Sequence, residues 1–449
     1  MLFLLLAPML NGKARMSKTI QSRLTRLLLL MMVSSVAGSV PPAHALDPIA
    51  TLSPSDVPSG YWNEFGSSVA MSGDYVAVGA RRDPWNSGLA SGAVYVFRRI
   101  GPRWIEQAKL TPSDPVWEGQ LGWSVAMDGD VIVAGAPTWE FNFCDIRRAG
   151  AVYVYRRDDQ GTPDDLDDDT WAEEAKLNAP DPQHNIGLGI DVSISGDVIV
   201  AGADCGQGVE VFRWNGGSWV HEASLTRPDG GFGTSVDIDA DRIVVGAHYN
   251  PVGPGSAYLF AHEGGDWREQ ARLTPTDHNT RDGFGFDVSI SASRALCGAP
   301  RIERTYVFQS IAETWVEQGF FFLPESDLGV GRFGTTVEIA DDTVLIDGEG
   351  DPAAFLFEWT DKGWQDVYKL AQPIENPALP LALGGDHAAV GQFLYAVKNQ
   401  HSLLDYAELQ NCFEDRTEHP EICDDYDRDL DGVVDLIDFG EFMATFTGP

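Results

Sequence analysis

Residues 65–80 read FGSSVAMSGDYVAVGA, and versions of this stretch return along the chain. They are LGWSVAMDGDVIVAGAP from Leu121, LGIDVSISGDVIVAGA from Leu188, FGTSVDIDADRIVVGA from Phe232, FGFDVSISASRALCGAP from Phe284 and FGTTVEIADDTVLIDG from Phe333. A worn seventh copy, LALGGDHAAVGQ, begins at Leu381. Each copy alternates apolar and polar residues, turns at Gly-Asp or an equivalent pair, and runs on through a short apolar strand, which is the pattern of a β-hairpin.

A second hairpin follows each of these. After Ala80 come GAVYVFRR (92–99) and WIEQAKLTPSD (104–114), with counterparts from Gly150, Gly208, Ser256, Thr305 and Ala354. Tryptophans stand at 104, 171, 219, 267, 315 and 364, so the unit is about 48 residues long, the period of a four-stranded propeller blade. The first interval is stretched by an acidic insertion, DDQGTPDDLDDD (158–169), which reads as a solvated loop. Strands ending in AKL or a variant number six, against seven hairpins of the first kind. The missing strand is at the other end of the chain, where IATLSPSD (49–56) matches QAKLTPSD (107–114). The expected fold is therefore all-β, a seven-bladed β-propeller closed by its N-terminal strand, because closure removes the exposed sheet edges.

The recurring FG start, the Gly-Ala-Pro at 135–137 and 298–300, and the VYVF strand that follows resemble FG-GAP repeats. These are the blades of integrin α-subunit propellers and of many bacterial secreted proteins. The resemblance spans roughly residues 49–398. Calcium-binding blades of that family carry a DxDxDG loop, which no loop between 46 and 398 has, so metal binding by the propeller is not carried over from the resemblance.

From residue 399 the β pattern stops. LLDYAELQNCF (403–413) has helical spacing, with Asp405 suited to the N-cap. Asp427, Asp429, Asp431, Gly432, Asp435 and Asp438 then occupy positions 1, 3, 5, 6, 9 and 12 of an EF-hand-type loop. A hard cation needs six to eight oxygens; the Val433 carbonyl would serve at position 7, and Gly432 permits the sharp turn. Aspartate at position 12, Phe439, Phe442 and the preceding helix make residues 399–449 resemble a dockerin type I module. The twelve residues ending at Asp405, LYAVKNQHSLLD, lack the acidic ladder, so the expectation is a small α-helical module with one Ca²⁺. The family would also imply a cohesin-like partner for the tail.

A formal net charge of −36 with no basic stripe excludes nucleic acid as a natural partner. At the N-terminus, five basic residues from Lys13 to Arg26 precede an apolar run from Leu27 to Val40, and Ala43-His44-Ala45 offers small residues at the two positions a signal peptidase reads. Residues 1–45 are thus expected to be a signal peptide, residues 46–398 the propeller, and the protein exported with no membrane span after cleavage. Among the five cysteines, Cys297 lies in an apolar strand and reads as a free buried thiol. Cys144 with Cys205 forms a possible bridge between neighbouring blades, and Cys412 with Cys423 a closer pair in sequence.

No catalytic constellation is legible. The Gly-x-Ser runs at 66–68, 122–124 and 233–235 lack the closing glycine of a nucleophile elbow and recur with the repeat. The histidines have no ligand spacing. Trp62, Trp85, Trp117, Trp139, Phe141 and Phe143 fall in loops of the first two blades, where buried rings would anchor the loops and exposed ones would stack on sugars or grip a protein. The functional expectation is an exported, calcium-binding protein- or glycan-binding or adhesion module with a docking tail. The alternatives are a carbohydrate-active lyase or hydrolase with the same appended module, or a structural envelope component.

Overall fold

The computed structural model describes the chain from residue 44 to 396, apart from 47, 57–62, 85–89, 101–102, 138–148, 161–168, 182–186, 204–207, 250–252, 278–281, 323–332, 348–353, 361–362, 371–379 and 385–386. The described strands form seven sheets, one per repeat, each an antiparallel meander. Blade one contains Phe65–Ser72, Tyr75–Ala80, Ala93–Ile100 and Arg103–Leu110, from inner strand to outer. Blades two to six repeat this order, and their inner strands include Val125–Asp128, Leu188–Ser195, Gly230–Asp239, Val288–Ser291 and Val337–Ala340. Blade seven has Leu381–Gly384, His387–Val390 and Phe393–Ala396 from the end of the described chain, and its outer strand is Ala50–Thr51. Among the described residues the only helix is a single turn, Pro300–Ile302.

Ring closure follows the strand count. Ala50 and Thr51 pair with Leu394 and Phe393, and the amides of Ile49 and Leu52 donate to Leu394 and Gln392 at 2.8 and 2.9 Å. Ser55 then crosses to blade one, donating through its amide and hydroxyl to Glu106. Asp56 accepts from Tyr95 and Lys109 at 2.7 Å each.

The apolar core lies in the seams between blades. One cluster joins Ala77, Val94 and Val96 of blade one to Val125, Ile132 and Tyr153 of blade two. The closing seam joins Leu52, Ala389 and Leu394 to Val69, Val76 and Val78. The FG and GA glycines meet at these seams. A Cβ added to Gly135 of blade two would lie 2.0 Å from the carbonyl oxygen of Gly189 in blade three, and Gly189 itself sits at φ +91°. Both positions therefore require glycine.

The tryptophan period has a structural cause. Every outer strand of blades one to six carries a bulge that skips one residue, which re-aims a side chain and blunts the outer edge. The skipped Gln107, Glu174 and Glu222 accept the indole N–H of Trp171, Trp219 and Trp267 in the following blade at 3.0, 2.9 and 3.1 Å.

Two features go beyond the expected topology. His44–Leu46 adds a fifth strand to blade six, parallel to Tyr368–Leu370, across the point where the leader is expected to end. The acidic insertion also contributes Asp169, which is fully buried rather than solvated. It accepts from Tyr75 at 2.7 Å and Arg157 at 2.9 Å, so local burial around a cation overrides the polarity of the segment. The 399–449 module and the rest of the 1–45 leader lie outside the described residues.

Candidate functional site

The meander gives the ring two unlike faces. Inner strands run toward short turns such as Gly73-Asp74 and Gly129-Asp130, and outer hairpins turn on the same side. The longer connections, such as 81–92, 111–120 and 274–283, all meet the opposite face. The two faces are joined by an axial cavity of about 700 Å³ lined by the inner strands of all seven blades.

An inner strand leaves its free N–H groups facing the axis, an open edge in chemical terms. Here the preceding blade supplies acceptors. Just before the first core valine stand Ser124, Asp191, Ser235 and Asp287. The amides of Val192, Val236, Val288 and Val337 donate to them, in that order, at 2.7 to 3.0 Å. Two residues further on, Ser193, Asp237 and Ser289 accept from Ile238, Ile290 and Ile339. At the turns, Ser72, Asp128, Ser195, Asp239 and Ser291 accept from the next blade's Gly129, Gly196, Ala240, Ala292 and Asp341. The rungs stop at blade seven, whose Pro380, Ala382 and Gly384 carry no polar side chain.

The rungs collect carboxylates. Burial pushes the Asp191 carboxyl up to about 8, with repulsion from Asp287 and Asp237 adding to it, and Asp287 up to about 6. Asp237 and Glu338 are raised for the same first reason. A carboxyl with a raised folded pKa takes up a proton on folding, so its contribution to stability falls as pH rises between its unfolded and folded values. The melting temperature is therefore expected to drop as pH rises through 6 toward 8, and Asp191→Asn to flatten that slope. Scanning calorimetry across this range checks it, and a rising midpoint contradicts it. Asp56 and Asp114 work in the opposite sense. Their burial is outweighed by hydrogen bonds from Lys109 and Lys176, so their contribution is lost as pH falls below the usual carboxylate range.

The sequence model of the FG-GAP repeat matches residues 48–97, 104–155, 171–210, 219–260 and 267–308, together just over half of the chain. The chain belongs to the FG-GAP repeat family. The match runs from the N-terminal closing strand into the third strand of blade five, and the structure extends the same meander through blades six and seven. A chain of the structure titled "Crystal Structure of Mitotic Checkpoint Complex" superposes with TM-score 0.51 at 13% identity, covering 81% of this chain and 99% of that one. At that identity the likeness concerns the fold alone. None of the curated proteins matches this chain.

On the FG-GAP scaffold, exposed aromatic rings collect on one face. Trp117, Tyr249 and Phe286 are the strongly exposed aromatics among the described residues, at 67%, 59% and 40%. All three lie on the long-connection side. Phe286 flanks the cavity mouth beside His248, ring centroids 5.1 Å apart, and Arg81 stacks over Trp123 at 4.3 Å. Sequence reasoning singled out Trp117 and passed over Tyr249 and Phe286. The signal for Phe286 was its place in the repeat, where Ser67 and Thr234 stand in other blades. Trp62, Trp85, Trp139, Phe141 and Phe143 lie outside the described residues, as do the calcium-loop residues Asp427, Asp429, Asp431, Val433, Asp435 and Asp438. So do Cys144, Cys205, Cys412 and Cys423.

The serines of the Gly-x-Ser runs are repeat residues. Ser124 and Ser235 are rungs, and Ser68 donates to the Gly122 carbonyl at 2.8 Å. Cys297 is free and buried. One cluster was not anticipated: in blade three, buried Glu210 stands where blade one has Tyr95, and it meets both His221 and Ser224. Ser224 Oγ and Glu210 approach the same imidazole nitrogen, whereas a nucleophilic relay needs the carboxylate on the other one. Among the described residues, no group of three His, Cys, Asp or Glu side chains converges to hold a metal ion. No described helix is long and apolar enough to cross a membrane.

Proposed function

We propose that this FG-GAP propeller is an exported binding or adhesion module that holds a protein or glycan ligand on its long-connection face. The observation that carries the reading is the segregation of exposed rings: Trp117, Tyr249 and Phe286 all fall on that face. Exposed aromatic groups at a rigid surface supply contact area with little loss of side-chain freedom. The double variant Trp117→Ala/Phe286→Ala is expected to lose binding to glycan-array or matrix-protein hits of the full chain by about tenfold or more while keeping its melting temperature. Hits that survive this change would place the ligand elsewhere.

The tail completes the reading. Residues 399–449 form a dockerin-like module that binds one Ca²⁺ through Asp427, Asp429, Asp431, the Val433 carbonyl, Asp435 and Asp438, and so orders an attachment point for a cohesin-like or other protein partner. Support comes from the ligand spacing alone. Calorimetric titration of the full chain with calcium is expected to show one site that Asp427→Ala abolishes. Unchanged binding in that variant would remove the assignment.

A further inference from the structure

The rungs satisfy the inner strands and leave one carboxylate over. Blade six carries Glu338 at the position where blades three to five carry Ser193, Asp237 and Ser289, each bonded to the next blade's amide. Glu338 accepts no hydrogen bond among the described residues. Protein surrounds it except toward the axial cavity, where it keeps some accessible surface. The same position holds Ala382 in blade seven and Ala70 in blade one, neither with a polar side chain.

The surroundings make this carboxylate costly. Burial raises it, and repulsion from Asp237, Asp287 and Asp191 raises it further. Asp128, Asp239 and Asp341 line the turn end of the cavity, and no Lys, Arg or His is among the described residues that line it. A buried charge without a partner is unfavourable. A counter-cation relieves it. The negative groups stand on rungs two residues apart, about 6.7 Å along each strand, rather than gathered at one point as a metal would need. Such spacing suits a chain of ammonium groups. At the mouth, Phe286 leaves ring surface open to a cation, as Trp123 already does for Arg81.

We propose that the axial cavity binds a linear aliphatic polyamine, with one ammonium group on Glu338 and a second on an adjacent rung. Binding draws the cavity carboxyls into their ionised form, so it releases protons and strengthens as pH rises. The charged groups that act on Glu338 are Asp237, Asp287 and Asp191; Asp128, Asp239 and Asp341 line the cavity toward the turns, and the Cys297 thiol lies behind Asp287. Blades one and seven add no titratable group to the described lining.

The probe is spermidine, titrated calorimetrically into the full chain in two buffers of different ionisation heat. The expected result is one saturable site, proton release, and a loss of at least about tenfold in affinity in Glu338→Gln. Asp266→Asn, which removes the same charge from an outer strand whose side chain is 70% exposed, is expected to leave the affinity unchanged. Multiple weak sites, equal weakening by both variants, or binding without proton release would mean diffuse association with an acidic protein and overturn the proposal. Heat for calcium that Glu338→Gln removes, with none for spermidine, would assign the cavity to a metal ion and overturn it as well. Proton release by the wild-type chain decides the matter even if the variant fails to fold.

Discussion

A chain lacking residues 48–56 is expected to lose the cooperative melting of the intact propeller and to expose its apolar seams. The removed segment is short, but it makes three kinds of contact at once. Its backbone pairs with Leu394 and Phe393, leaving the outer edge of blade seven open when it is gone. Leu52, 2% exposed, fills the seam between blades seven and one. Asp56 stands with Tyr95, Lys109 and the buried Asp83, and its removal takes away one of two acceptors of the lysine. The milder Leu52→Ala isolates the packing part and should cost about 2–5 kcal/mol. Urea unfolding followed by tryptophan fluorescence reads both. A truncated chain that unfolds at the wild-type midpoint would show that the N-terminal strand does not close the ring.

Gly189→Ala is expected to destabilise the ring strongly. The residue sits at φ +91°, and a Cβ there would lie 2.7 Å from the Ala151 carbonyl oxygen and 2.9 Å from the Gly135 Cα. Backbone strain contributes about 1–3 kcal/mol and overpacking about as much again. Gly265→Ala is the comparison: it shares the φ of +91°, but a Cβ there meets nothing within 4 Å. The difference between the two melting temperatures then measures the seam contact rather than the backbone conformation. Equal losses would mean that blades two and three do not depend on this close approach.

The ring was legible because each repeated residue has one forced job. The FG and GA glycines let adjacent sheets touch, and Trp171, Trp219 and Trp267 each donate their indole N–H to the preceding blade's bulge residue. Counting outer strands against inner ones exposed the permutation at Ile49–Asp56. The polar positions of the inner strands were harder. Alternation says that Ser124, Asp191 and Ser193 leave the core, but not whether water or another blade receives them. Here the receiver is an unpaired strand edge, a long-range fact that no local pattern carries. The same limit hid Asp169, whose cation partner Arg157 comes from the other strand of its hairpin, and Glu210, whose partner His221 sits across the strand pair. Glu338 follows Ser193, Asp237 and Ser289 in its column, and its meaning appears only once the column's function is known.

Closure by the first strand on the last blade also dictates when the protein can finish folding. Blades one to six can stack as they emerge, each held to its predecessor by rungs and apolar contacts. The circle cannot be completed until Phe393–Ala396 has been made and brought back to Ala50–Thr51, a loop closure across nearly the whole propeller. Until then two seams stay wet, and both belong to blade seven, the blade without rungs. A chain still being synthesised is therefore an open crescent and becomes a ring only once its last strand is released.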